Sequence, residues 1–280
     1  MLQDADERRR SREQTGRAIS GISTGIERLD DLLNGLRPGL AVLAGPPGVG
    51  KTSLSLQIAL EAACEAPVVY VTYENSPASL VLKALCVTAR VPPRDVQRGF
   101  ANPSALRQAA IHIQPRFARL AIVEGTSCLA VAAVRRGALQ AMRRHGAERC
   151  VVVYDYLQRA AHAQGYAEVR HNVSALAGEL RDLANRLRSP VLAISSQNRA
   201  AGNYGTGGGS AALDSLKESG DLEYGADAVL FLRPNEERPA APPARALDLV
   251  VAKNRDGGTG AVRLLFRPDI GDMREEDLQR

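Results

Sequence analysis

Apolar and polar positions alternate along this chain in two distinct periods. Short, mainly apolar runs at Leu40 to Ala44, Val68 to Thr72, Cys150 to Tyr154 and Val191 to Ser195 predict strands buried on both faces. Ala121 to Val123 predicts a shorter one. Between them the period lengthens to that of a helix. Gly25 to Leu33 predicts a helix closed by Asn34 and Gly35. Lys51 to Cys64, Ser79 to Thr88 and 130 to 144 predict three more, and Val91, Pro92 and Pro93 break the second of these. Val173, Leu176, Leu180, Leu183 and Leu187 fall on one face of a helix over 171 to 188, stopped by Pro190. Periodicity does not decide 103 to 118. Towards the end, Ala228 to Leu232 and Leu247 to Ala252 predict strands, and the glycines at 257, 258 and 260 turn the chain into Val262 to Phe266, a β-hairpin.

Strands alternating with helices predict an α/β fold: a mostly parallel central sheet with helices on both faces and a C-terminal hairpin. The expected limits are a charged arm over 1 to 17, one domain over 18 to 272 and a polar tail over 273 to 280. With 280 residues, 45% of them hydrophobic, the chain can bury a large core. The charge of +5 is compatible with a polyanionic partner without establishing one. No apolar run is long enough to span a membrane and no signal-peptide core precedes the domain, so a cytoplasmic protein is expected. Cys64, Cys86, Cys128 and Cys150 have no metal-site spacing and read as reduced core thiols. Of 36 basic residues only Lys51, Lys83, Lys217 and Lys253 are lysine, so each lysine merits attention in a chain that otherwise uses arginine.

Candidate chemistry begins with Gly45, Pro46, Pro47, Gly48, Val49, Gly50, Lys51 and Thr52, with Ser53 following. The spacing is that of a phosphate-binding loop between an apolar strand and a helix, the setting in which backbone N–H groups and a helix N-terminus close on phosphate oxygens. Lys51 is expected at the β- and γ-phosphates and the Thr52 hydroxyl on Mg²⁺. Asp155 ends an apolar strand and is placed to hold the Mg²⁺, partly through water. Position 156 is Tyr, so the water-activating carboxylate must come from elsewhere. Glu74, at the end of the second strand, is the candidate, because strand carboxyl ends converge on the ligand crevice.

Several segments together resemble the C-terminal RecA-like ATPase domain of DnaB-family replicative helicases. They are Thr24-Gly25 with Leu29-Asp30, Pro38-Gly39, the phosphate loop, Glu74-Asn75-Ser76, Tyr154 to Gln158, Ser195 to Arg199, Leu213 to Gly220 and Ala252 to Gly257, in the family's order across about 20 to 270. The resemblance implies an ATP-dependent helicase or translocase acting as a ring, usually a hexamer, on single-stranded DNA. ATP would sit between subunits. Lys253 and Arg255 match the pair that reaches the neighbour's γ-phosphate, and Lys217, Glu218 and Gly220 match the loop that touches DNA. It also implies a loader or primase as partner. The sequence departs from the family at 196, where Ser replaces the usual Gln and Gln197 follows, and residues 1 to 17 are too short for the family's N-terminal domain. A phage, plasmid or accessory relative fits as well as a chromosomal enzyme. The rival readings are a RecA- or RadA-like DNA-dependent ATPase that does not unwind, and a nucleotide-gated assembly protein.

Overall fold

A computed structural model describes residues 19–126, 129–163, 169–196, 225–238 and 240–276; side chains at 162, 163 and 169–171 are not described. The strands are β1 (Gly39–Gly45), β2 (Val68–Thr72), β3 (Leu120–Glu124), β4 (Val151–Asp155), β5 (Pro190–Ser196), β6 (Ala228–Pro234), β7 (Arg245–Asn254), β8 (Gly260–Arg267) and β9 (Asp272–Glu275). They form one sheet in the order β3-β2-β4-β5-β1-β6-β7-β8-β9. The first six are parallel, and β7 to β9 extend the sheet antiparallel.

Because side chains alternate along a strand, the central strands feed two cores. Leu43 of β1 joins a core with Tyr70, Leu192 and Phe266, covered by α1 (Glu27–Leu33), α2 (Lys51–Ala62), α3 (Pro77–Ala89) and α5 (Pro103–Phe117). Leu40, Val42 and Ala44 face the other core, covered by α6 (Val131–His145), α7 (Leu157–Ala163) and α8 (Val169–Leu187). A short α4 (Pro93–Gln97) follows α3.

Local chemistry accounts for the element ends. Ser76 caps α3 by accepting from the Ser79 N–H, with Pro77 in the first turn, and Arg90 closes it in the left-handed region. The undecided stretch 103–118 forms α5, capped by Asn102 with Pro103 at its start. It buries only Ala109 and Ile113, which is why no apolar period announced it. Asp30 is buried in α1 and accepts from Ser23 Oγ (2.7 Å), Thr24 N (2.8 Å) and Thr24 Oγ1 (2.7 Å), so it ties the entry segment to the helix.

Two expectations change. The tail expected from 273 is not a tail there: β9 pairs with β8, and Met273 is buried. A four-residue strand with a single apolar core residue is too short to read from alternation. The cysteines do not share one environment either. Cys86 and Cys150 are buried, which pushes both thiols up, whereas Cys64 is exposed just beyond α2 and Cys128 lies outside the described residues. Among the described residues, no helix is long and apolar enough to cross a membrane.

Candidate nucleotide site

The phosphate loop leaves the carboxyl end of β1 and enters α2 at Lys51. Two of its glycines have left-handed backbones, Gly48 at φ 76° and Gly50 at φ 109°. At Gly50 the backbone conformation favours glycine, and a Cβ there would also crowd the Met273 and Phe266 side chains at 3.0 and 3.1 Å. Lys51 lies back across the loop, its Nζ donating to the Gly45 carbonyl (2.7 Å) and the Pro46 carbonyl (2.9 Å). Burial lowers its pKa to about 8, against the upward pull of Asp155 and Glu74.

Asp155, at the tip of β4, is 1% exposed. Its Oδ2 accepts from Thr52 Oγ1 (3.0 Å) and from the Tyr70 hydroxyl (3.0 Å), and Tyr70 in turn shares a hydrogen bond with Ser55 Oγ (2.9 Å). Burial raises the Asp155 pKa, while the Tyr70 and Thr52 hydrogen bonds hold it down. One hydroxyl and one carboxylate within a hydrogen bond of each other, beside a phosphate loop, fit the two protein oxygens that Mg²⁺ takes when phosphates supply others. No group of three or more His, Cys, Asp or Glu among the described residues could hold a metal by itself.

Glu74 lies two residues beyond the end of β2, after Tyr73, and is exposed, and its charge acts on Lys51, Tyr70 and Asp155. Its neighbour Asn75 is fixed: the Asn75 N–H donates to Thr72 Oγ1 (3.0 Å), Thr72 Oγ1 donates to the Asn75 carbonyl (2.9 Å), and Lys83 Nζ donates to Asn75 Oδ1 (2.8 Å). Lys51, Thr52, Asp155 and Glu74, predicted separately, therefore meet at the carboxyl ends of β1, β2 and β4. A cavity of about 600 Å³ adjoins the loop, lined by Pro47, Val49, Arg233, Asn235, Arg245 and Asp248 among others.

Lys253 and Arg255 are not at this site. Asn254 pairs with Ala228 at the start of β6, and β6 runs parallel to β1, so both residues sit at the opposite end of the sheet from the phosphate loop. The Arg255 guanidinium donates to Asp227 Oδ1 (3.1 Å). Lys217, Glu218, Gly220, Gln197 and Arg199 lie outside the described residues.

Three contributors escaped the sequence reading of individual roles. Tyr70 carries the only hydroxyl-bearing aromatic in an otherwise aliphatic and threonine-ended strand, and that was its available signal. Lys83, the one lysine of the four to which no role was assigned, holds Asn75. Gln158 fastens the end of β5, donating to Ser195 Oγ (2.8 Å) and the Ser196 carbonyl (3.1 Å) and accepting from the Ser196 N–H (3.0 Å). The position where the family usually carries Gln is thus held through its backbone.

The family model described as DnaB-like helicase C terminal domain matches residues 21–275. The replicative DNA helicase DnaB of Leifsonia xyli subsp. xyli is 29% identical over 271 residues, covering 94% of this chain and 57% of that protein. The one from Geobacillus stearothermophilus is 27% identical over 256 residues, covering 89% and 55%. The chain thus spans a little over half the length of these relatives. Among solved structures, an isolated ATPase domain superposes with a TM-score of 0.81 at 21% identity, covering 99% of both chains. A DnaB-like replicative helicase, described with its interactions with primase, gives 0.79 at 21% identity over 92% of this chain and 64% of that one. With the fold alike and the match running from the entry segment to β9, the chain belongs to the DnaB-like helicase C-terminal domain family.

Proposed function

We propose that this chain is the ATP-hydrolysing motor of a replicative-type DNA helicase, assembled as a ring around single-stranded DNA with each site shared by two copies. The convergence of Lys51, Thr52, Asp155 and Glu74 on the phosphate loop carries this reading. Loop N–H groups and Lys51 bind the phosphates, and the adjoining cavity offers room for ribose and base. Thr52 and Asp155 would hold Mg²⁺, which would supply positive charge to offset that of the phosphates. Glu74, exposed and supported by the fixed Asn75, orients and deprotonates the attacking water. Arg255, with Lys253, serves the site of the neighbouring copy. Lys217, Glu218 and Gly220 meet the DNA backbone, and because such contacts read no bases, binding is independent of sequence and weakened by salt. The relatives' names point to replication, the primase named with one structural neighbour supports a primase as partner, and a loader rests on the family resemblance alone.

The test is ATP turnover with and without single-stranded DNA at low and high salt. We expect DNA to stimulate turnover several-fold at low salt and the stimulation to fade at high salt. Glu74→Gln should lower turnover about 10²- to 10⁴-fold while leaving nucleotide binding in place. Turnover indifferent to DNA would remove the translocase reading in favour of an assembly protein. DNA stimulation without strand displacement would favour the RecA-like alternative.

A further inference from the structure

The end of the sheet away from the phosphate loop holds a carboxylate, Asp227, that takes no part in the chemistry at the loop. It lies just before β6 and works with both oxygens. Oδ2 accepts from the Leu40 N–H (3.0 Å) at the start of β1, while the Asp227 N–H donates to the Leu40 carbonyl (2.8 Å). Oδ1 takes two guanidiniums, Arg181 of α8 at 3.0 Å and Arg255 at 3.1 Å. The Arg255 backbone is held as well, its N–H donating to the Asp227 carbonyl (2.9 Å). The preceding turn is shaped to admit the carboxylate. Gly39 has φ 137°, and a Cβ there would stand 2.8 Å from Asp227 Oδ2.

We propose that Asp227 is a positioning residue that presents Arg255 to the active site of the neighbouring copy. The inference rests on the reading of Arg255 as acting between copies. An arginine on an exposed turn has many rotamers, and a charge that must meet a phosphoryl group gains from being held near its working direction. The carboxylate engages one end of a planar group whose donors fork in several directions. Arg181 makes the arrangement reversible. When Arg255 shifts towards a phosphate, Arg181 still neutralises the partly buried Asp227, so no carboxylate is left without a cation. Asp227 touches neither nucleotide nor water in this scheme and acts only through Arg255.

Asp227→Asn separates the two roles, because an amide oxygen still accepts from Leu40 N–H while its NH₂ turns a donor towards the two arginines. We expect kcat to fall about ten- to a hundredfold with KM for ATP nearly unchanged and the thermal midpoint kept. The decisive measurement mixes full-length variants in the presence of single-stranded DNA. Mixing Asp227→Asn with Lys51→Ala should give more turnover than the two measured apart, since some interfaces pair an intact phosphate loop with an intact Asp227–Arg255 arm. Mixing Arg255→Ala with Lys51→Ala tests the underlying reading in the same way. Recovery in both mixtures supports the proposal. Recovery with Arg255→Ala alone overturns it and leaves the interface intact, and recovery in neither removes both. Unchanged or faster turnover in Asp227→Asn, or loss of its fold, would equally overturn a positioning role.

Discussion

At the residue scale, the proposed phosphate contact of Lys51 would couple nucleotide binding to a proton. Its ammonium is mostly buried against the loop, and its pKa of about 8 lies below the ordinary lysine value of 10.5. Between these two values the unfolded chain binds more protons than the folded one, so this residue's contribution to stability rises with pH across that window. Below about pH 8 the full cost of burying the ammonium is present. Phosphate oxygens reverse the balance by favouring the charged form. Nucleotide binding at pH 8 should therefore take up about half a proton, and almost none at pH 6.5. Titration calorimetry in two buffers of different ionisation enthalpy measures this directly. Lys51→Arg should bind nucleotide without the uptake, because a guanidinium stays protonated throughout. Uptake that persists in Lys51→Arg would assign the proton to another group. Asp155, whose pKa burial raises, sits in the same electrostatic field, and a cation beside it would draw it down again.

At the scale of elements, the phosphate-loop helix is braced by the last strand of the sheet. Gln57 of α2 donates from Nε2 to the Met273 carbonyl (3.0 Å) and accepts at Oε1 from the Met273 N–H (2.8 Å), as a neighbouring strand would. Met273 itself packs beneath Gly50. Gln57→Ala removes both bonds and should cost about 2 kcal/mol of stability, read as a lower urea midpoint at constant slope. Gln140→Ala, on the exposed face of α6, should stay within about 0.5 kcal/mol. Equal effects from the two substitutions would mean that β9 does not brace the helix. This clasp also marks a limit of sequence reading. The buried strands β1, β2, β4 and β5 were legible because each carries a run of four or more apolar residues set between turn signals. β9 was not, since four residues with one apolar core side chain show no alternation, and its bonds to Gln57 join positions more than two hundred apart. α5 was not legible either, for its outer face carries Ile111 into solvent rather than into a core, so no apolar period marks the helix that Asn102 and Pro103 begin. That the loop, Thr52, Asp155 and Glu74 would converge was legible because each stands at or just beyond the carboxyl end of a parallel strand. Tyr70 and Asp227 were not, since a buried hydroxyl or carboxylate gains meaning only from what the fold sets against it.

On the scale of the whole molecule, the sheet itself separates the two halves of the proposed catalytic unit. Leu40, bonded to Asp227 and so beside Arg255, and Gly45, where the phosphate loop begins, stand five residues apart on β1. At the usual rise of a strand that is about 16 Å, and the loop continues beyond it. Arg255 cannot bend back to a γ-phosphate bound by its own chain, so a role in hydrolysis requires a second copy. A head-to-tail contact of this kind uses two different surfaces and closes into a ring when its rotation allows. Specific activity should then depend on protein concentration, rising steeply through the range in which copies associate and levelling above it. Sedimentation velocity over the same range, with ATP and single-stranded DNA present, should show association and activity rising together. Arg255→Ala should associate similarly yet stay about a thousandfold less active at every concentration, the size expected when a guanidinium no longer stabilises phosphoryl transfer. Specific activity that stays constant through dilution to the monomer would mean that one chain completes its own site, and Arg255 would then have no part in hydrolysis.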